Sequence, residues 1–122
     1  MTTVSVAQDR SEADFGGVDL PDPPVLRVRE VELNLAAHLV TVARGRPVPL
    51  TPKELGILAV LMHCAGRIVS QDELIERVWG PEGAPAKSIS VYMVRLRRRL
   101  EVDPHHPRYI RSVRGYGYIV DL

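Results

Sequence analysis

The chain has 122 residues, of which 45% are apolar, and a formal charge of +1. That length supports one domain with a modest core and leaves no room for a second full domain. A single cysteine, Cys64, excludes an internal disulfide and gives no reason to expect an oxidising compartment. The longest unbroken apolar run, Ile57 to Met62, is far too short to cross a bilayer, and the N-terminus lacks the basic and apolar regions of a signal peptide, so a soluble cytoplasmic protein without membrane contact is expected.

The small net charge hides an asymmetry. Residues 1–24 hold Asp9, Glu12, Asp14, Asp19 and Asp22 against Arg10, a charge of −4; from totals of 16 basic and 15 acidic side chains this leaves 15 and 10, or +5, for the remainder. These first residues have Phe15 as their one aromatic and end in Pro21-Asp22-Pro23-Pro24, which predicts a flexible acidic leader or linker ahead of a domain spanning 25–122. From Val25 to Leu50 the pattern is four short strands, Val25–Val28, Val31–Asn34, Leu39–Val42 and Val48–Leu50, suited to a small antiparallel sheet.

Thr51-Pro52-Lys53-Glu54 is a helix start: Thr51 can cap, proline loses nothing at the first helical position, and Glu54 completes a capping box. Leu55, Leu58, Ala59 and Met62 follow at helical spacing, and Gly66 is expected to end the helix as a left-handed cap. Ser70-Gln71-Asp72-Glu73 repeats the capping-box pattern and opens a second helix through Leu74, Ile75, Val78 and Trp79, stopped by Gly80-Pro81.

The next stretch, Lys87 to Leu100, predicts a third helix. Ile89, Met93, Leu96 and Leu100 form one apolar stripe with Tyr92 at its edge, while Lys87, Ser90, Val91, Val94, Arg95 and Arg98 lie opposite. Five of its residues are basic (Lys87, Arg95, Arg97, Arg98, Arg99) and none is acidic, so no carboxylate within the helix neutralises them. A charge run of this kind is usually a solvated face. Here Val91 and Val94 stand among the cations, where a surface helix would carry Glu or Gln; in a DNA major groove a small apolar side chain can meet a thymine methyl while a neighbouring Arg binds guanine O6 and N7. Two helices joined by a turn, the second of them basic, make a helix-turn-helix arrangement.

Beyond the loop Glu101 to Pro107, the segments Arg108–Val113 and Tyr118–Val120 read as strands around Arg114-Gly115-Tyr116-Gly117, whose glycines suit a tight hairpin. Arg114 at such a tip can enter a narrow minor groove, where the negative potential is enhanced.

The order of elements, together with Trp79-Gly80, Val91 through Arg97 and Val113-Arg114-Gly115-Tyr116-Gly117-Tyr118, resembles the OmpR/PhoB-type winged-helix effector domain of bacterial response regulators over residues 25–122. The resemblance implies an α+β fold: an N-terminal four-stranded antiparallel sheet, three helices and a C-terminal β-hairpin wing. It implies transcription control by sequence-specific binding of double-stranded DNA, with the third helix in the major groove and the wing in the minor groove. By alignment, Arg95 takes the place of a base-reading arginine and Val91 that of a thymine-methyl contact; Lys87, Ser88, Tyr92 and Arg97 match positions that mainly hold phosphates. Ser90, Val94 and Arg98 complete the helix surface, and Val94 departs from the basic or polar residue of several members. In the wing, Arg114 and Ser112 match contact positions, with Arg111 and Tyr116 beside them. The loop Gly80, Pro81, Glu82, Gly83, Ala84, Pro85 is similar to a segment that touches RNA polymerase in activators. Tandem protomers on a direct-repeat operator are implied; no long apolar seam argues for a dimer in solution, so a monomer is expected off DNA. The receiver domain that normally precedes this module is absent, so the chain is either the effector half of a longer regulator or a separate DNA-binding protein.

A second reading makes the basic helix a docking surface for an acidic protein partner. The exposed valines and Arg114 favour DNA. An enzyme fares badly: His63-Cys64 and His105-His106 match no zinc spacing, and no phosphate loop or Ser-His-Asp arrangement is evident, so no cofactor or metal is expected. Cys64 is expected to pack as a small apolar group, His105 and His106 to lie in a loop, and Trp79, Tyr109 and Tyr118 to pack in the core.

Overall fold

The computed structural model of the protein describes residues 24–83 and 85–120. The expected leader, apart from Pro24, lies outside them. Four short strands, β1 (Val25–Val28), β2 (Val31–Asn34), β3 (Leu39–Val42) and β4 (Val48–Pro49), form an antiparallel sheet in chain order, with Leu33 opposite Val40 and Val40 opposite Val48. Strand alternation turns Val31, Leu33 and Val40 into the core, while Glu32 and Thr41 point the other way. Between β2 and β3 the Asn34 side chain accepts the N–H groups of Ala36 and Ala37 at 3.1 and 2.9 Å, the local bonding by which asparagine shapes a turn.

Helix α1 (Pro52–His63) begins at the expected capping box: the Glu54 N–H donates to Thr51 Oγ1 at 3.3 Å and the Thr51 N–H to Glu54 Oε1 at 3.0 Å. Its end corrects the sequence reading. The cap is Cys64, at φ −100°, and Gly66 comes two residues later with φ +87°, where its N–H donates to Val120 O at 3.3 Å. Gly66 therefore turns the chain toward the last strand instead of closing the helix.

Helix α2 (Gln71–Val78) is capped by Ser70, whose Oγ accepts the Glu73 N–H at 3.0 Å. Only half of the second expected box forms. The Glu73 carboxylate turns outward to Arg67 at 2.9 Å and Arg77 at 3.1 Å, because two guanidiniums draw a carboxylate more strongly than one neutral N–H. A single 3₁₀ turn, Gly80–Glu82, follows.

Helix α3 (Ile89–Leu100) starts two residues later than the sequence pattern suggested, so Lys87 and Ser88 precede it. Ile89, Met93, Leu96 and Leu100 are buried as expected, and Leu96 is wholly so; truncating it to alanine would cost about 2–5 kcal/mol. The wing consists of β5 (Ile110–Val113) and β6 (Gly117–Val120), shorter at its start than expected, since Arg108 and Tyr109 lie before the first strand. Val69, between α1 and α2, pairs with Tyr118 through N–H···O bonds of 2.8 and 2.9 Å, which fastens the wing to the helical body. Trp79, Tyr109, Tyr118 and Cys64 all belong to the one core shared by sheet, helices and wing.

Candidate nucleic-acid interface

The residues that bury α3 also decide which of its side chains face out. With Ile89, Met93, Leu96 and Leu100 committed to the core, the 3.6-residue period leaves Ser90, Val91, Val94, Arg95 and Arg98 exposed on the other side. Val91 and Val94 are 37% and 46% exposed. Neither Arg95 nor Arg98 has a hydrogen bond or ion pair among the described residues, so their guanidiniums remain available to an outside anion. Lys87, also exposed and without an ion pair among the described residues, stands just ahead of the helix. Ser88 caps α3 by backbone conformation alone: its hydroxyl bonds Ser90 Oγ at 2.9 Å and not the first-turn N–H groups. Those N–H groups and the positive end of the helix dipole add to the cationic character of this end.

The other basic residues of the segment have structural employment. Arg97 reaches the wing, donating from Nε to Ile110 O at 3.0 Å and from Nη2 to Ser112 Oγ at 2.9 Å, with its guanidinium 5.8 Å from the Tyr118 ring centre. Arg99 pairs with the buried Glu54 at 3.1 Å and donates to Pro49 O at 3.2 Å, tying α3 to the start of α1 and to β4. Tyr92, half-buried, packs edge-on against Trp79 at 5.2 Å between ring centres. Lys53 Nζ lies 5.0 Å over the Trp79 ring and donates to Val78 O at 3.4 Å. Arg97 and Tyr92, which the family alignment matched to phosphate positions, thus hold α3 against the wing and α2.

In the wing, Arg111, Ser112, Arg114 and Tyr116 are all exposed, Tyr116 by 72%. Gly115, with φ +83°, makes the turn that places Arg114 at the tip, and Arg114 has no ion pair among the described residues. Gly117 answers a different demand. A Cβ there would stand 2.1 Å from Val69 O and 2.8 Å from Ser70 Cα, so only glycine lets β6 pass this close to the segment ahead of α2.

The sequence reading missed the residue that ties the start of the wing to the end of α3. Glu101, only 7% exposed, accepts the N–H groups of Arg108 at 2.6 Å, Tyr109 at 2.9 Å and Ile110 at 2.8 Å. One carboxylate thereby closes the loop between α3 and β5. Tyr109 hydroxyl donates to Glu30; burial first, then that carboxylate, raises the phenol above its ordinary range. Farther along the loop, a bond from His106 and then the His105 N–H hold the Asp103 carboxyl below its usual range.

The loop between α2 and α3 splits in character. Gly80, Pro81 and Glu82 form the 3₁₀ turn, Gly83 follows with φ +90°, Pro85 is half-buried, and Ala84 lies outside the described residues. His63 is exposed, whereas Cys64 is buried with its sulfur accepting from Arg67 Nη2 at 3.0 Å. Among the described residues no three His, Cys, Asp or Glu side chains converge on a metal-sized site, and no helix is long and apolar enough to cross a membrane.

Residues 45–120 match the family model described as "Transcriptional regulatory protein, C terminal". The chain belongs to this family of OmpR/PhoB-type winged-helix domains. It is 38% identical over 98 residues to the sensory transduction protein RegX3 of Mycolicibacterium smegmatis, covering 80% of this chain and 42% of that protein. It is 39% identical over 100 residues to the KDP operon transcriptional regulatory protein KdpE of Escherichia coli, covering 80% and 43% respectively. The chain therefore spans less than half the length of these curated relatives. The crystal structure of the DNA-binding domain of CpxR from E. coli superposes with a TM-score of 0.65 at 27% identity, over 80% of this chain and 96% of that one. The winged helix is thus common to this OmpR/PhoB-type chain and to domains crystallised by themselves.

Proposed function

We propose that the chain binds double-stranded DNA sequence-specifically and regulates transcription, with α3 in the major groove and the wing tip in the minor groove. The observation that carries this is the exposed face of α3, where Arg95 and Arg98 have no partner among the described residues and stand beside Val91 and Val94. A surface that only had to be soluble would pair or dilute such cations and would not interleave them with valine. Arg95 reads a guanine edge and Val91 a thymine methyl. Lys87 and the open first turn of α3 hold phosphates, and Arg114 enters the minor groove. Membership of a transcriptional-regulator family supports the same reading. Arg97 and Ser112 act within this scheme as a brace that fixes the distance between the two reading elements.

The finer parts of the reading are tandem binding of monomers on direct repeats, contact of the Gly80–Pro85 loop with RNA polymerase, and action in the bacterial cytoplasm without catalysis. Selection from a random duplex pool at near-physiological salt tests the reading. Enrichment of two like half-sites about one helical turn apart is expected, protected in register by footprinting. Failure to enrich any sequence would refute sequence-specific binding, and a single or inverted site would refute the tandem arrangement.

A further inference from the structure

A groove of about 660 Å³ separates α3 from the base of the wing. Its walls carry Val94, Arg97 and Arg98 from α3, His105 from the following loop, and Arg111 and Ser112 from β5, with no carboxylate among the lining residues. Two prolines in its lining, Pro104 and Pro107, bracket His105, limiting the backbone freedom of the short loop that carries it. Asp103, on the same loop, is already engaged: it accepts the His105 backbone N–H at 3.1 Å and pairs with His106 Nδ1 at 3.0 Å. The His105 imidazole itself makes no hydrogen bond among the described residues.

On the DNA-binding reading above, α3 and the wing enter neighbouring grooves, so the sugar-phosphate strand between those grooves must pass through the space between them. We propose that His105 is a titratable arm of this groove, contacting a backbone phosphate there and taking up a proton as DNA binds. Arg97 and Arg98 from α3 and Arg111 from β5 line the same groove as His105; Asp103 and His106 lie on its own loop. A phosphate seated beside the imidazole favours its charged form, and proton uptake and DNA affinity are then linked reciprocally. Asp103 does not confuse the response, because its hydrogen bonds hold it ionised as the solution becomes mildly acidic.

The test measures anisotropy of a fluorescein-labelled duplex of the enriched sequence with the parent chain, His105→Gln, His105→Arg and His106→Gln. Between about pH 8 and about pH 5.5, where imidazole is the side chain that changes charge, the parent should tighten about fivefold to tenfold. Its salt slope should steepen by about 0.9, the increment for one neutralised phosphate. His105→Gln should lose both changes and His106→Gln keep them. His105→Arg should bind at the higher pH as tightly as the parent does at the lower. An unchanged pH response in His105→Gln, or a response lost only in His106→Gln, overturns the assignment of His105 while leaving DNA binding intact. No binding by any variant at either pH overturns the DNA reading together with it.

Discussion

Glu101→Gln should loosen the wing before it unfolds the protein. Glu101 Oε1 accepts from Arg108 at 2.6 Å and Tyr109 at 3.1 Å, and Oε2 from Tyr109 at 2.9 Å and Ile110 at 2.8 Å. An amide of the same shape keeps one acceptor oxygen and presents N–H groups in place of the other. Either Arg108 or Ile110 then loses its acceptor, and the remaining bonds lose their charge assistance. An orphaned buried donor costs about 1–3 kcal/mol and a charge-assisted bond contributes about 1.5–3 kcal/mol, so a net loss of about 3 kcal/mol is expected. For a domain of this size that lowers Tm by about 15 °C. Thermal unfolding followed by circular dichroism reads the global effect, and amide hydrogen exchange reads the local one. The Arg108 and Tyr109 amides, which precede β5, should lose protection before the helices do. A Tm within about 3 °C of the parent, with those amides still protected, would refute the role given to Glu101.

Three further outcomes follow from the same geometry. Gly117→Ala forces a Cβ against Val69 O at 2.1 Å and should destabilise by about 3 kcal/mol or more, detaching the wing; a urea midpoint equal to the parent's would contradict the close approach. Arg99→Ala leaves the buried Glu54 carboxylate, among the described residues, with its capping bond to Thr51 and should cost about 1–3 kcal/mol by the same assay, while Arg98→Ala should leave stability within about 0.5 kcal/mol. The hydrogen bond from Arg67 lowers the Glu73 pKa below its ordinary value. Its stabilising contribution is therefore present above the ordinary carboxylate range and disappears as pH falls through the lowered folded value. The stability gap between the parent and Glu73→Gln should narrow from neutral pH toward about pH 3, and a gap that does not change with pH would rule this contribution out.

What could be read in the residues alone was what depends on near neighbours. The Thr51/Glu54 box, the four short strands that begin at Val25, Val31, Leu39 and Val48, and the Ile89/Met93/Leu96/Leu100 stripe are local patterns, and each appears where the pattern puts it. Contacts that join distant parts of the chain left no such trace. Nothing around Glu101 signals three backbone donors seven to nine residues ahead, and Arg97, Arg98 and Arg99 look alike until tertiary packing sends one to the wing, one to solvent and one to Glu54. The second capping box failed for the same reason. Its local geometry was sound, but Arg67 and Arg77 compete for the Glu73 carboxylate. Gly117 was visible as a turn glycine, whereas its tighter constraint comes from Val69, which lies far away in the sequence.

The guanidinium of Arg95, without a partner among the described residues and beside exposed Val91 and Val94, is the centre of the functional reading, and paired affinities measure it most directly. Arg95→Ala and Lys87→Ala should be titrated against the enriched duplex and a scrambled duplex of equal length. Arg95→Ala should lose about 1–3 kcal/mol on the enriched sequence and little of it on the scrambled one, while Lys87→Ala weakens both alike and lowers the salt slope by about 0.9. Equal losses for both variants on both duplexes would contradict base reading by α3.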